Sequence, residues 1–391
     1  MRAYDRGEEE KVRLLRMVRE WTHAGLLDSS QHEVLERDLR VDLRRTGLML
    51  RLGLALFTSL VVAAAAGLVV VFFDISGDPA LALICGLGGV ISLVAADRLA
   101  VRFRFYRHGV EEALAVAACV CVALSAVLAT KSALGFPHES TAIMLALLVG
   151  AACSWFVYLR FGFQYAAIGS LVCLAVTPLQ WSIEPFLARS LCVAVFACGF
   201  AAADTAGRGA SNGVAADDAV VVRAAAFAGA YLAANLYLTH AIAGGMSPLV
   251  GGWFRWTTYA AIWMLPVAGL WRGIREKERW LLDAGAAALL LTLVSNKPYL
   301  GLVQRPWDPI LLGGLLLGIA IVLRRWLAHG ADGQRRGFTA VQILASDRDL
   351  IRVVAMASAV TDIRPELPAN HPSDSAFQGG RSGGGGGGAG F

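Results

Sequence analysis

Residues 52–73 read LGLALFTSLVVAAAAGLVVVFF, a run without one ionisable side chain, bounded by Arg51 in front and Asp74 behind. A helix needs about 20 apolar residues to cross the hydrocarbon core of a bilayer. This run has that length, which predicts a membrane helix. Moving outward, similar runs predict spans at 79–96, 111–130, 141–158, 161–178, 186–203, 222–242, 256–271, 280–295 and 308–326. Composition agrees. Of the 391 residues, 57% are hydrophobic and 17% charged, against about 25% charged in an ordinary soluble domain. The deficit concentrates between residues 52 and 324, so a soluble core of this size would lack polar surface.

The expected fold is therefore all-α: a polytopic transmembrane helical bundle of about ten spans over 47–326. A short cytoplasmic pair of amphipathic helices (1–46) precedes it. A juxtamembrane segment (327–364) with an amphipathic helix at 347–361 follows, and then a disordered Gly-rich tail (365–391).

Charge sets the orientation. Eleven Lys and Arg precede the first span, from Arg2 to Arg51. Arg98, Arg102, Arg104 and Arg107 lie between the second and third spans, and Arg272, Arg275, Lys277 and Arg279 between the eighth and ninth. The alternate loops hold only Lys131, Arg255, Lys297 and Arg305, with Arg189 at a span edge. Cytoplasmic loops are the ones rich in Lys and Arg, so both termini are expected in the cytoplasm. The net charge of +5 is thereby explained by topology. No groove-entering basic element exists to suggest nucleic acid.

The seven cysteines all fall in apolar runs, where cysteine behaves as a small hydrophobe. No Cys-x-x-Cys or His-Glu-x-x-His occurs, and the seven His are never at ligand spacing. The sequence thus indicates no cofactor, metal or catalytic residue. Small residues four apart (Ala63 with Gly67, Ala225 with Gly229 and Ala233, Gly314 with Gly318) indicate close helix packing.

Polar groups inside spans attract functional interest. Asn235 is the deepest, with Tyr231 one turn earlier on the same face, and Gln164 lies in the fifth span. These three could line a midplane polar site. The plainer reading of Asn235 is a hydrogen bond between helices. Pro266 interrupts the eighth span and needs a neighbour to satisfy the carbonyl it frees. Asn296 to Tyr299 and Arg305 to Pro309 read as a dense outer loop.

Before the first span, Leu14, Val18 and Trp21 form one helical stripe. Ser30 and Glu33 have capping-box spacing before a second helix. Together with Trp21-x-x-x-Gly25-Leu26 and Arg107-His108-Gly109-Val110-Glu111-Glu112-Ala113-Leu114, this segment resembles the bacterial membrane-protein family called domain of unknown function 2157. The resemblance covers about the first 130 to 200 residues and implies architecture, not activity, in a bacterial inner membrane. The expected partners are the lipid bilayer and a protein that meets the N-terminal helix pair or the C-terminal tail. Non-enzymatic membrane organisation or envelope support is the first functional expectation. A small-solute transporter with a midplane site is the alternative.

Overall fold

A computed structural model describes residues 2–23, 26–75, 77–133, 139–181, 183–210, 213–238, 252–302, 305–329, 334–335 and 338–339. The chain divides into two units, and everything described belongs to the first, Met1–Val341. The expected 347–361 helix and the Gly-rich tail lie outside the described residues, as do Gly25 and His240.

The structure is helical. Two short helices, α1 (Arg6–His23) and α2 (Ser29–Asp38), come first. The long helices are α3 (Leu48–Phe72), α4 (Asp78–Val101), α5 (Val110–Ala133) and α6 (Glu139–Phe161). The shorter α7 (Gln164–Val176) runs into a 3-10 turn, Thr177–Gln180. Then come α8 (Pro185–Arg208), α9 (Gly213–Ala234), α10 (Trp253–Glu276), α11 (Arg279–Tyr299) and α12 (Asp308–Ala328). A two-residue antiparallel ladder joins 334–335 to 338–339.

Among the described residues, six helices are long and apolar enough to cross a membrane: α3, α4, α5, α6, α8 and α12. Helices α9, α10 and α11 are 22, 24 and 21 residues long, sufficient for a span. They carry more charge: Asp217, Asp218 and Arg223 in the first half of α9, Arg272 and Arg275 near the end of α10, and Arg279 at the start of α11.

Several helix starts are written locally. In α4, α8 and α12 an acidic residue stands just before a proline: Asp78-Pro79, Glu184-Pro185 and Asp308-Pro309. Proline's missing N–H costs nothing in the first turn, and a carboxylate there complements the helix dipole. Helix α2 is capped by Asp28, not Ser30. Its carboxylate accepts from Ser29 N at 2.7 Å while Gln31 Oε1 accepts from Asp28 N at 3.1 Å. The capping box therefore starts two residues earlier than expected, and the helix stops at Asp38. Residues beyond it run extended beside the α4–α5 loop, with Arg44 N donating to Arg104 O and Tyr106 N to Arg44 O.

The most extensive helix pairings are α4 on α5, α8 on α9 and α10 on α11. Gly229 faces the Phe196 ring so closely that a Cβ would collide with it. Gly67, Gly314 and Gly318 face open space. Of the small-residue pairs named above, the one in α9 alone marks an interface among the described residues. Helices α3 and α12 contain no buried residue.

Candidate functional site

The first polar centre joins α9, α10 and α11. Asn235, Thr292 and Ser295 are fully buried, and Tyr231 is nearly so. Asn235 Nδ2 donates to Tyr231 Oη at 3.2 Å and to Ser295 Oγ at 3.0 Å. Tyr231 Oη lies 2.8 Å from Thr292 Oγ1, and Thr292 Oγ1 donates to Ile262 O at 2.7 Å. Ser295 Oγ donates to Leu291 O at 2.8 Å. Asn235 Oδ1 accepts from Leu238 N at 3.1 Å, and Tyr299 Oη accepts from Leu236 N at 2.7 Å.

Donors and acceptors match in one direction: Asn235 amide to Tyr231 hydroxyl, Tyr231 to Thr292, Thr292 to a backbone carbonyl. That carbonyl, Ile262 O, is four residues before Pro266. Proline has no N–H to offer it, so α11 supplies the donor. Left unsatisfied in hydrocarbon, such a group would cost several kcal/mol. The network is a seam between helices.

The site residues expected from sequence separate here. Asn235 and Tyr231 meet as the helical spacing implied. Gln164 is elsewhere, at the first position of α7, where its Nε2 donates to Asp218 Oδ1 at 2.7 Å. Phe161 ends α6 and Gly162 (φ +73°) turns the chain, so the helix where the fifth span was expected begins only at Gln164. Helix α9 starts at Gly213, nine residues ahead of the expected 222, and its regular course stops at Ala234. Asn296 to Tyr299 belong to the last turn of α11 and not to a loop, with Tyr299 buried.

The second centre is the docked N-terminus. Val12, Leu15 and Val18 are the buried stripe of α1, while Trp21 is exposed. The helix is thus rotated from the expected Leu14-Val18-Trp21 face, because it packs on the bundle. Ala3 N donates to Arg160 O at 2.7 Å, and the Tyr4 and Tyr106 rings meet edge-on at 5.0 Å. Arg2 Nη1 donates to Glu9 Oε2 at 2.9 Å, and its Nη2 lies 3.8 Å from Asp218. Arg13 Nε donates to Asp217 at 2.7 Å, and Arg104 pairs with Glu8. Arg51 pairs with buried Glu112, while Glu111 accepts from His108 N at 2.7 Å. Gly109 (φ +104°) lets this loop pass the Arg51 carbonyl where a Cβ would have no room. Burial raises the Glu9 carboxyl above its usual pKa although Arg2 opposes the shift, and burial pushes the Tyr4 phenol up as well.

The third centre is ionic. Arg223 is buried, and its guanidinium reaches Asp204 at 2.6 Å, Glu276 at 2.8 Å and Glu278. Arg272 and Arg208 also pair with Asp204, at 2.7 and 2.9 Å. Asp204 near the end of α8 and Asp217 near the start of α9, the latter held by Arg13 of α1, flank one connection, so this centre lies towards the end where α1 docks, the arginine-rich end.

Two cavities adjoin there. One, about 590 Å³, is apolar and lies among α6, α7, α8 and α9, with Trp155, Ser170, Gly199 and Ala202 in its walls. The other, about 440 Å³, is lined by Asp204, Arg208, Arg223, Glu276 and Glu278. Ala203 and Ala219 border both. Neither cavity is lined by Asn235, Tyr231 or Gln164. Among the described residues no group of His, Cys, Asp or Glu could hold a metal.

Thr292, Ser295 and Asp218 were not singled out from sequence. Pro266 was the available signal for Thr292, since a freed carbonyl requires a donor nearby. No family model, curated protein or solved structure matches this chain.

Proposed function

We propose that this protein organises or supports a bacterial inner membrane without catalysing a reaction. In this reading about ten helices span the bilayer, α7 and α9–α11 among them, with the arginine-rich end and both termini cytoplasmic. The basic loops support that orientation, as does the resemblance of the opening segment to domain of unknown function 2157. The observation that carries the functional reading is the closed hydrogen-bond seam of Asn235, Tyr231, Thr292 and Ser295. Asn235, Tyr231 and Gln164, the polar side chains expected to mark a solute site, are spent on protein partners and line neither cavity. Docked α1 keeps Lys11 and Arg16 exposed, a basic face suited to anionic headgroups or an acidic partner.

Reporter fusions test the topology, and vesicle flux tests the role. Fusions at 102–109 and 209–212 should report a cytoplasmic location. Vesicles carrying the full chain should exchange entrapped amino acids, sugars and inorganic ions no faster than empty vesicles. A saturable flux abolished by Asn235→Ala would overturn the reading in favour of transport.

A further inference from the structure

The apolar cavity has the depth of one leaflet. Its walls run from Leu148 to Tyr158 on α6, from Ala167 to Leu174 on α7, from Gly199 to Ala206 on α8 and from Ala215 to Val222 on α9. The longest of these stretches rises about 15 Å, half of the roughly 30 Å hydrocarbon core. On α8 and α9 these stretches lie in the half nearer the arginine-rich end, on α6 mostly so, and on α7 around the middle. Alanine and glycine hold nine of the sixteen wall positions, leaving a groove where larger side chains would have closed the bundle. At its rim Leu148, Trp155 and Leu174 are exposed, so the groove opens sideways at membrane depth.

At the arginine-rich end the groove meets the charged cavity across Ala203 and Ala219. That cavity presents Arg208 and Arg223 against Asp204, Glu276 and Glu278. Arg223 is taken up by the three carboxylates. The Arg208 side chain is 70% exposed and, among the described residues, pairs along one edge with Asp204, which leaves guanidinium donors for a phosphate. Arg272 also pairs with Asp204 and Glu276, so three arginines meet three carboxylates, a balance that a zwitterionic headgroup keeps and an anionic one upsets.

We propose that this continuous space is a binding site for one phospholipid with an amine-bearing, zwitterionic headgroup, such as phosphatidylethanolamine. One acyl chain lies in the α6–α9 groove, the phosphate meets Arg208, and the ammonium meets Glu276 and Glu278. The proposal rests on the reading above that this end faces the inner leaflet.

The full chain, reconstituted in nanodiscs containing phosphatidylethanolamine with a photoreactive group in mid-chain, provides the test. Adducts should concentrate on residues 148–158 and 199–206, exceeding those on lipid-exposed α3. Ala202→Phe fills the groove from an exposed wall position and should remove the excess on 148–158 while leaving α3 labelling unchanged. Ala206→Phe is a second filling variant, and the wild-type map decides if both fail to fold. Arg208→Gln should weaken competition by unlabelled phosphatidylethanolamine about threefold, the size of a solvent-facing ion pair. Equal labelling of α3 and the groove would overturn the proposal while leaving the topology intact. So would retention of a fatty acid or an isoprenoid in the groove with no phospholipid, or equal competition by phosphatidylglycerol. Reporter fusions placing 209–212 outside would instead remove the topology on which it depends.

Discussion

The Thr292 hydroxyl donates to the Ile262 carbonyl at 2.7 Å, across two helices, at the carbonyl that Pro266 leaves without a helical donor. One side chain of α11 thus repairs a break in the backbone bonding of α10. The same hydroxyl accepts from Tyr231, so the repair also ties in α9.

This coupling is measurable. Thr292→Val should lower thermal stability in detergent by about 1–3 kcal/mol, because Ile262 O and Tyr231 Oη both lose a partner. Thr292→Ser should restore most of the loss. In a Pro266→Ala background, where α10 recovers its own N–H, Thr292→Val should cost distinctly less. Additive losses in that double-mutant cycle would show that the two residues are independent.

Asn235 sits at the other end of the relay, and its removal should be milder. Polar contacts between membrane helices average about 0.6 kcal/mol, with a maximum near 1.7. Asn235→Ala should therefore cost on the order of 1 kcal/mol, read by thermal unfolding in detergent. Tyr231 retains Thr292 and Ser295 retains Leu291 O in its absence. A collapse of folding would mean that Asn235 does more than bridge helices.

What the sequence made legible follows from physics local to each element. Helix α3 was readable because its apolar run is unbroken and both ends are charged. The start of helix α9 was not, because Asp217 and Asp218 look like loop residues until their partners are known. Those partners are Arg13 and Gln164, each distant in sequence. Asn235 and Tyr231 shared a face by helical spacing alone, whereas the depth of Gln164 depended on where α6 stopped. The Leu14-Val18-Trp21 stripe gave way to Val12-Leu15-Val18 because tertiary docking chose the buried face of α1.

The glycines separate chance spacing from packing. Gly229→Ala should destabilise by about 1–3 kcal/mol, the cost of overpacking, because its Cβ meets the Phe196 ring. Gly67→Ala and Gly318→Ala face open space and should stabilise their helices by about 0.5–1 kcal/mol. Thermal unfolding of the three variants under identical conditions decides. A loss at Gly67 or Gly318 would reveal a neighbour from another copy of the chain.

Arg223 holds three carboxylates from three parts of the fold. Removing it leaves Asp204, Glu276 and Glu278 facing one another with fewer cations. Breaking a buried pair this way costs about 3–5 kcal/mol. Arg223→Met should therefore sharply lower the yield of folded protein in the membrane, and Arg223→Lys should recover part of it. Normal yield of the Met variant would mean that water enters the cavity and screens these charges.

Glu9 makes α1 docking depend on pH, and the sign follows from burial. Its carboxyl has a raised pKa when docked, so the docked state holds a proton more readily than the released one. Docking is then fully favoured below the ordinary carboxyl pKa of about 4.3 and weakens as pH rises through the docked value. Arg2 and Arg107 oppose the shift while Asp218 reinforces it. His108 acts in the other sense. Burial and Arg44 lower its pKa, so it disfavours the folded loop as pH falls below about 6.5. Comparing wild type with Glu9→Gln isolates the first effect. Hydrogen exchange over residues 6–23 should slow, relative to the variant, as pH falls from neutral towards 5, after correction for intrinsic exchange rates. Identical pH profiles for the two proteins would show that Glu9 does not bind the proton that docking takes up.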